Sequence, residues 1–293
     1  MLGPHVRGAG DPTGRLSSRS VVRATRTPDG PATLLVELRG DRAEAEAWGP
    51  GADRVLDDLP ALLGLVDQPE GFDPSMHPVV ADLARRRPHL RIGWTNAMFE
   101  ALLPAILEQK VTGTEAAGAF RGIIAKYGEP APGPVASNQR LRLQPPPDLI
   151  ATLPYYALHP FGLEQRRAET LRRCAIEAAR LERLTGLEGA RASIGATAAA
   201  ELTAIPGIGA WTAAEVTFRA LGDPDAVSVG DFHLKNVVAF ALTGAPRGTD
   251  EQMLELLEPW RGHRARVVRL IELSGRTPPR FGPRFSPIDR RGM

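Results

Sequence analysis

The stretch "LTAIPGIGAWTAAEV", residues 202 to 216, holds two glycines one residue apart behind Pro206, inside an otherwise helical pattern. Glycine in a helix interior is costly, so Gly207 and Gly209 mark a hairpin between two helices. The hairpin's backbone N–H groups stand next to the start of the second helix, where bare amides and partial positive charge suit a phosphate oxygen. A tight turn with no ligand would use the same residues, because short glycine motifs recur by chance. Twenty-two residues beyond Gly209, "VSVGDFHLKN" places Asp231 where a new helical run opens. Asp231 is a natural first-turn carboxylate there, and an ordinary helix cap is the common role of such an aspartate. Trp211 and Trp260 offer flat π faces that attract cations, with core packing as the alternative for each.

These groups need rigid elements to position them. Residues 20 to 50 read as strands: "VVRATRTPDGPATLLVELRG" is two β-rich runs around a Pro-Asp-Gly turn, and "AEAEAWGP" alternates as a half-exposed strand does. "GADRVLDDLPALLGLVD" then carries apolar residues at helical spacing. From Thr95 onward the pattern predicts helices without strands, the first capped at Thr95, with "EPAPGPVASNQRLRLQPPP" as an unusually long Pro-rich loop. The end, "RTPPRFGPRFSPIDRRGM", reads as a loosely ordered Pro/Arg-rich arm.

Composition narrows the chemistry. Of 36 basic residues only Lys110, Lys126 and Lys235 are lysine, so arginine abundance alone argues little for nucleic acid. The formal net charge is +2, and any polyanion-binding surface must be a local patch. The single Cys174, in "LRRCAIEAAR", excludes an internal disulfide and a four-cysteine iron–sulfur or zinc site, and reads as a buried structural thiol. No apolar run is long enough to span a bilayer, and "MLGPHVRGAGDPTGR" lacks a signal peptide's apolar stretch, so the expected compartment is the cytoplasm.

The hairpin, the following loop and the aspartate opening the next helix together resemble the helix-hairpin-helix (HhH-GPD) superfamily of DNA glycosylases, most nearly the bacterial 3-methyladenine DNA glycosylase II group. "FEALLPAILEQKVTGTEAAGAF", "GLEQRRAETLRRCA" and "EPWRGHRARVVRLIEL" are similar to further segments of that group, in the same order. The resemblance implies an α+β chain: a small N-terminal antiparallel-sheet domain over 1–85, an all-helical glycosylase domain over 86–275 and the arm over 276–293. It implies an enzyme that flips a damaged nucleotide from duplex DNA and hydrolyses its N-glycosidic bond, preferring alkylated, cationic purines such as 3-methyladenine. Asp231 matches the catalytic aspartate. Trp211, Trp260 and Glu215 match base-pocket positions, and Gln109, Lys110, Pro206, Gly207, Gly209 and Thr212 match DNA-contacting ones. Trp211 stands where lyase-type relatives carry a lysine, which implies a monofunctional enzyme. No cofactor and no metal is implied beyond a monovalent cation at the hairpin backbone. The implied state is a monomer, near the nucleoid and away from membranes.

The chain departs from the group at three positions. Lys110 stands where an apolar wedge is usual, and reads as a phosphate contact unless another residue is the wedge. Glu215 replaces an aromatic residue, and either recruits a cationic base or faces solvent. Lys235, four residues after Asp231, either pairs with it or is a solvated helix-face lysine. Two other readings stand beside this one: a glycosylase for neutral deaminated bases, and a non-catalytic DNA-binding protein, which would have no need of Asp231.

Overall fold

The computed structural model describes residues 3–8, 10–40 and 42–279; from residue 280 the Pro/Arg-rich arm lies outside the described residues. Four strands, β1 (Gly14–Leu16), β2 (Ser20–Thr27), β3 (Gly30–Arg39) and β4 (Arg42–Trp48), pair antiparallel in chain order. The Pro-Asp-Gly turn sets the β2–β3 register, in which Thr27 faces Gly30 and Val21 faces Val36. Gly30 takes a positive φ of 124°, open to glycine and strained for other residues. The expected α+β class with an N-terminal antiparallel sheet is thus the fold observed.

Both faces of the sheet are covered. Val21, Leu34 and Val36 pack against Val55 of α1 (Ala52–Asp57) and Leu62 of α2 (Leu59–Leu62). The other face meets the segment expected to be a long loop. Residues 129–143 instead form β5 (Glu129–Pro130), α6 (Pro134–Gln139) and β6 (Arg142–Leu143), and Ala131, Ala136, Leu141 and Leu143 bury Val22 and Ala24. Strands therefore do occur after Thr95. The period-two run Arg140, Leu141, Arg142, Leu143 carried the strand signal, and the surrounding prolines obscured it.

The remaining helices are α3 (Pro78–Arg86), α4 (Met98–Leu107), α5 (Gly113–Tyr127), α7 (Pro147–Thr152), α8 (Tyr155–Leu158), α9 (Gln165–Ile176), α10 (Ala178–Glu182), α11 (Arg191–Thr203), α12 (Ala210–Leu221), α13 (Leu234–Thr243), α14 (Asp250–Leu257) and α15 (Arg264–Ser274). None is long and apolar enough to cross a membrane among the described residues. They build two apolar cores rather than one. The first surrounds α4, whose Leu102, Leu103, Ile106 and Leu107 are fully buried against α5, α9, α11 and α12. The second gathers Val80 and Leu83 of α3 with Leu234, Val238, Met253, Leu257, Val267 and Ile271. Apolar packing therefore does not divide at residue 85: α3 joins the C-terminal helices, and the 129–143 segment joins the sheet.

Long-range polar contacts lock these layers. The cap of α4 is not Thr95; the Glu182 carboxylate accepts from the Met98 and Phe99 amides at 3.0 and 2.8 Å. Glu100 on the same helix accepts from Arg23, Thr25 and the Arg26 amide, riveting sheet to helix. Arg266 forms a two-pronged pair with Asp67 at 2.8 and 2.7 Å, with the side chains 3% and 5% exposed. Removing one member of such a buried pair leaves an uncompensated charge. Asp67→Ala is expected to lower the unfolding free energy by about 3–5 kcal/mol, measured by urea denaturation, with a far smaller loss for Asp82→Ala, whose partners Arg85 and Arg86 are exposed.

Candidate active site and nucleic-acid interface

The hairpin connects α11 to α12, and its two glycines have different tasks. Gly207 adopts φ 101°, and a Cβ there would lie 2.0 Å from Thr170 Oγ1 on α9. Its missing side chain therefore serves the turn and the packing against α9, a correction to the expectation that both glycines clear space for a phosphate. Gly209 has an ordinary extended φ of −103°, and a Cβ there would meet nothing within 4 Å. It is the N-cap of the twelve-residue helix α12, whose first turn no side chain caps, and Gly209 and Ala210 are exposed. That geometry suits an anion. Pro206 is exposed, and its carbonyl accepts from Arg173 Nη1 at 3.4 Å.

Gln109 ties the end of α4 to this hairpin. Its Nε2 donates to the Gly207 carbonyl at 3.1 Å and to Thr212 Oγ1 at 2.9 Å. Thr212 itself is buried, so it acts as an anchor for Gln109 and is closed to direct contact with a partner. The hairpin carbonyls of Pro206 and Gly207 are thus engaged by Arg173 and Gln109. Lys110, next in the chain, is exposed and holds φ 53°, a left-handed conformation uncommon outside glycine. Such strain collects at functional turns, where surrounding contacts hold it in place.

Trp211 and Asp231 meet directly: the indole Nε1–H donates to Asp231 Oδ2 at 3.2 Å. The other carboxylate oxygen, Oδ1, accepts from the His233 and Leu234 amides at 2.7 and 2.8 Å. Asp231 therefore orders the turn that leads into α13 and stands beside the hairpin tryptophan, half-exposed. The helix N-terminus favours the anion. Three donors fix its orientation, leaving the site one aromatic face and one oriented carboxylate.

The loop from residue 222 to residue 233 carries that carboxylate, and it is pinned at several points. Asp225 pairs with Arg264 through two bonds of 2.8 and 2.6 Å and accepts from the Gly262 amide. Asp250 accepts from the Gly230 amide at 3.0 Å and from Lys235 Nζ at 3.1 Å. The Gly230 amide first, then Lys235, holds the Asp250 carboxyl below its usual range. Lys235 thus pairs with Asp250, not with Asp231. Asp250 is the site residue that sequence reading missed; it is α14's first residue, and only tertiary packing brings it to Gly230.

Glu215 lies one turn beyond Trp211 on α12. It is engaged at both oxygens, by Arg219 and by the Ser228 hydroxyl. It neither faces bulk solvent nor stands as a free anion. Trp260 is 4% exposed in the second core, and its Nε1 donates to the Asp73 carbonyl at 2.7 Å. This placement corrects the expectation of a pocket wall: an indole enclosed on its faces by core side chains has no face to offer a base. A separate cavity of about 290 Å³ is lined by Arg7, Pro104, Glu108, Phe120, Arg121 and Arg219. Neither Trp211 nor Asp231 borders it. Cys174 is buried as expected, and burial pushes its thiol up to about 12.

This arrangement of sheet, helices and hairpin is shared with solved DNA glycosylases. A 3-methyladenine DNA glycosylase from Archaeoglobus fulgidus aligns with a TM-score of 0.71 at 20% identity, over 89% of this chain and 88% of that one. An 8-oxoguanine glycosylase/lyase from Clostridium acetobutylicum, bound to double-stranded DNA with cytosine opposite 8-oxoguanine, aligns at 0.64 and 14% identity, over 90% and 97%. A Schizosaccharomyces pombe 3-methyladenine DNA glycosylase in complex with abasic DNA aligns at 0.52 and 18%, over 75% and 97%. No family model and no curated protein matches the chain. At these identities the shared property is the fold alone.

Asp223 gives the loop a pH dependence. It lies 5% exposed, so close to Gly195 that a Cβ there would meet Asp223 Oδ2 at 2.1 Å, and burial chiefly pushes its carboxyl up to about 7. A raised folded value means that the protonated form stabilises the fold. This contribution is full below about pH 4, near the unfolded value, and is lost as pH rises through about 7. Asp223→Asn is therefore expected to reduce the loss of stability between pH 5 and pH 8, read as denaturation midpoints of variant and parent.

Proposed function

We propose that this chain is a monofunctional DNA N-glycosylase of base-excision repair, excising alkylated, positively charged purines such as 3-methyladenine from duplex DNA. The observation that carries the reading is the Trp211–Asp231 hydrogen bond beside the open N-terminus of α12. Phosphate contacts at Gly209 and the first α12 amides would anchor the strand without reading its sequence. A nucleotide turned out of the stack there would meet an indole face and a fixed carboxylate. As the glycosidic bond breaks, the sugar gains oxocarbenium character, and an oriented anion either stabilises that charge or activates the incoming water. A base that already carries positive charge is a good leaving group, so the site needs no strong general acid. Asp250 and the Asp225–Arg264 pair act by holding the loop still. The overall likeness to 3-methyladenine glycosylases from two sources supports this reading.

One observation favours a second reading, excision of neutral deaminated bases. Glu215 is already neutralised by Arg219, and Trp260 is buried, so the attraction for a cationic base rests on Trp211 and Asp231 alone. A side-by-side panel decides: 3-methyladenine or 7-methylguanine should leave faster than hypoxanthine or uracil, and the reverse order would promote the second reading.

Asp231→Asn preserves shape but removes the anion. Excision is expected to fall by at least ~100-fold while duplex affinity stays within a few-fold, since losing one key electrostatic group has that scale. Excision near the parent rate would remove Asp231 from the mechanism.

The hairpin has no lysine, and Lys235 is held by Asp250. The expected product is therefore an intact abasic strand, broken only by alkali or heat, with no adduct trapped by borohydride. An adduct formed through Lys110 or Lys235 would make the enzyme bifunctional.

A further inference from the structure

Phe232 follows Asp231 directly and is 71% exposed. Its ring meets the His233 imidazole edge to face, with centroids 4.9 Å apart at 90°. A large aromatic side chain left this far in water forgoes the burial that drives folding. Other exposed apolar residues, such as Leu65, Val66 and Tyr156, lie outside the turn that carries the carboxylate. Phe232 alone shares that turn, and the turn is rigid. Asp231 Oδ1 holds the His233 and Leu234 amides, the Asp231 amide donates to Ser228, and Asp250 holds the Gly230 amide. The ring is therefore presented from a fixed backbone, which lowers the entropy lost when it is buried against a partner.

On the opposite side of the hairpin, Gln109 bonds Thr212, whose neighbour Trp211 bonds Asp231. This chain of contacts links the residue that precedes Lys110 to the residue that precedes Phe232. Lys110 is exposed and cationic, suited to a phosphate and not to the apolar interior of a base stack. Extruding a nucleotide opens a gap in the stack, and proteins that hold DNA in such a state insert apolar side chains. Aromatic rings stack on any base, whatever its identity.

Resting on the glycosylase reading above, we infer that Phe232 is the side chain that stacks on the DNA bases next to the extruded nucleotide, a role that Lys110 cannot perform. The ring takes the place of the missing base on the apolar side of the gap. Lys110 contributes charge at the backbone. The occupant of this exposed aromatic surface is thus an unstacked DNA base.

The test compares binding of the full chain and its variants to two DNAs: an intact duplex, and the same duplex with a tetrahydrofuran abasic analogue at one position. A 2-aminopurine beside the analogue reports stacking. Phe232→Ala is expected to lose ~10-fold or more in affinity for the analogue duplex, to bind intact duplex within ~2-fold, and to abolish the 2-aminopurine change. Phe232→Trp should restore both. Because the ring is exposed, its removal leaves the core unchanged, and a circular dichroism melt checks this. An alanine variant that keeps both the analogue preference and the fluorescence change overturns the inference, as does an equal loss on both duplexes. If the parent protein excises none of the lesion panel, the glycosylase reading fails separately, and the binding comparison still decides the role of Phe232.

Discussion

A single hydrogen bond joins the two halves of the site. The Trp211 indole belongs to the helix that leaves the hairpin, and Asp231 belongs to the loop that follows that helix. Their contact holds the helix that leaves the hairpin at a set distance from the carboxylate. Much of the nearby structure maintains this contact. α12 is packed against the fully buried α4, which fixes the indole. The loop is fastened from outside by Arg264, Asp250 and Glu215, the last through the Ser228 hydroxyl, which fixes the carboxylate. The flanking helices belong to different apolar cores, α12 to the first and α13 to the second.

Charge in the site is managed by pairing. Glu215 and Arg219 cancel on one face of α12, and Lys235 and Asp250 cancel behind the loop. Asp231 differs: among the described residues its partners are neutral N–H groups, which orient the carboxylate without a countercharge. An anion held by dipoles and left without a cationic partner is the arrangement expected where positive charge develops during a reaction. Within the site, this contrast sets the proposed catalytic carboxylate apart from Glu215 and Asp250.

The N-terminal sheet is bound into the same assembly. Glu100 fastens β2 to α4, and Arg7 pairs with Glu108 immediately before Gln109 and Lys110. The turn that approaches the hairpin is thereby braced from the sheet side. Fold neighbours with 14 to 20% identity retain most of the chain's length, as expected if this bracing is set by packing geometry and not by particular side chains.

Local chemistry alone determined much of this. The Pro-Asp-Gly turn, the alternation from residue 20 to 48 and the helical periodicities reside in neighbouring residues, and a hairpin glycine or a helix-opening aspartate is visible for the same reason. Tertiary structure decided what those residues touch. Gly207 and Gly209 look alike in sequence, but only Gly207 has Thr170 against it. Trp211 and Trp260 have the same chemistry, yet one reaches Asp231 and the other the Asp73 carbonyl inside a core. Asp250, Glu182 and the strand-forming segment at 129–143 gain their roles from partners far away in the chain. Short-range backbone preferences are written along the chain. Burial and long-range pairing depend on which surfaces the folded layers bring together, and no local pattern encodes that.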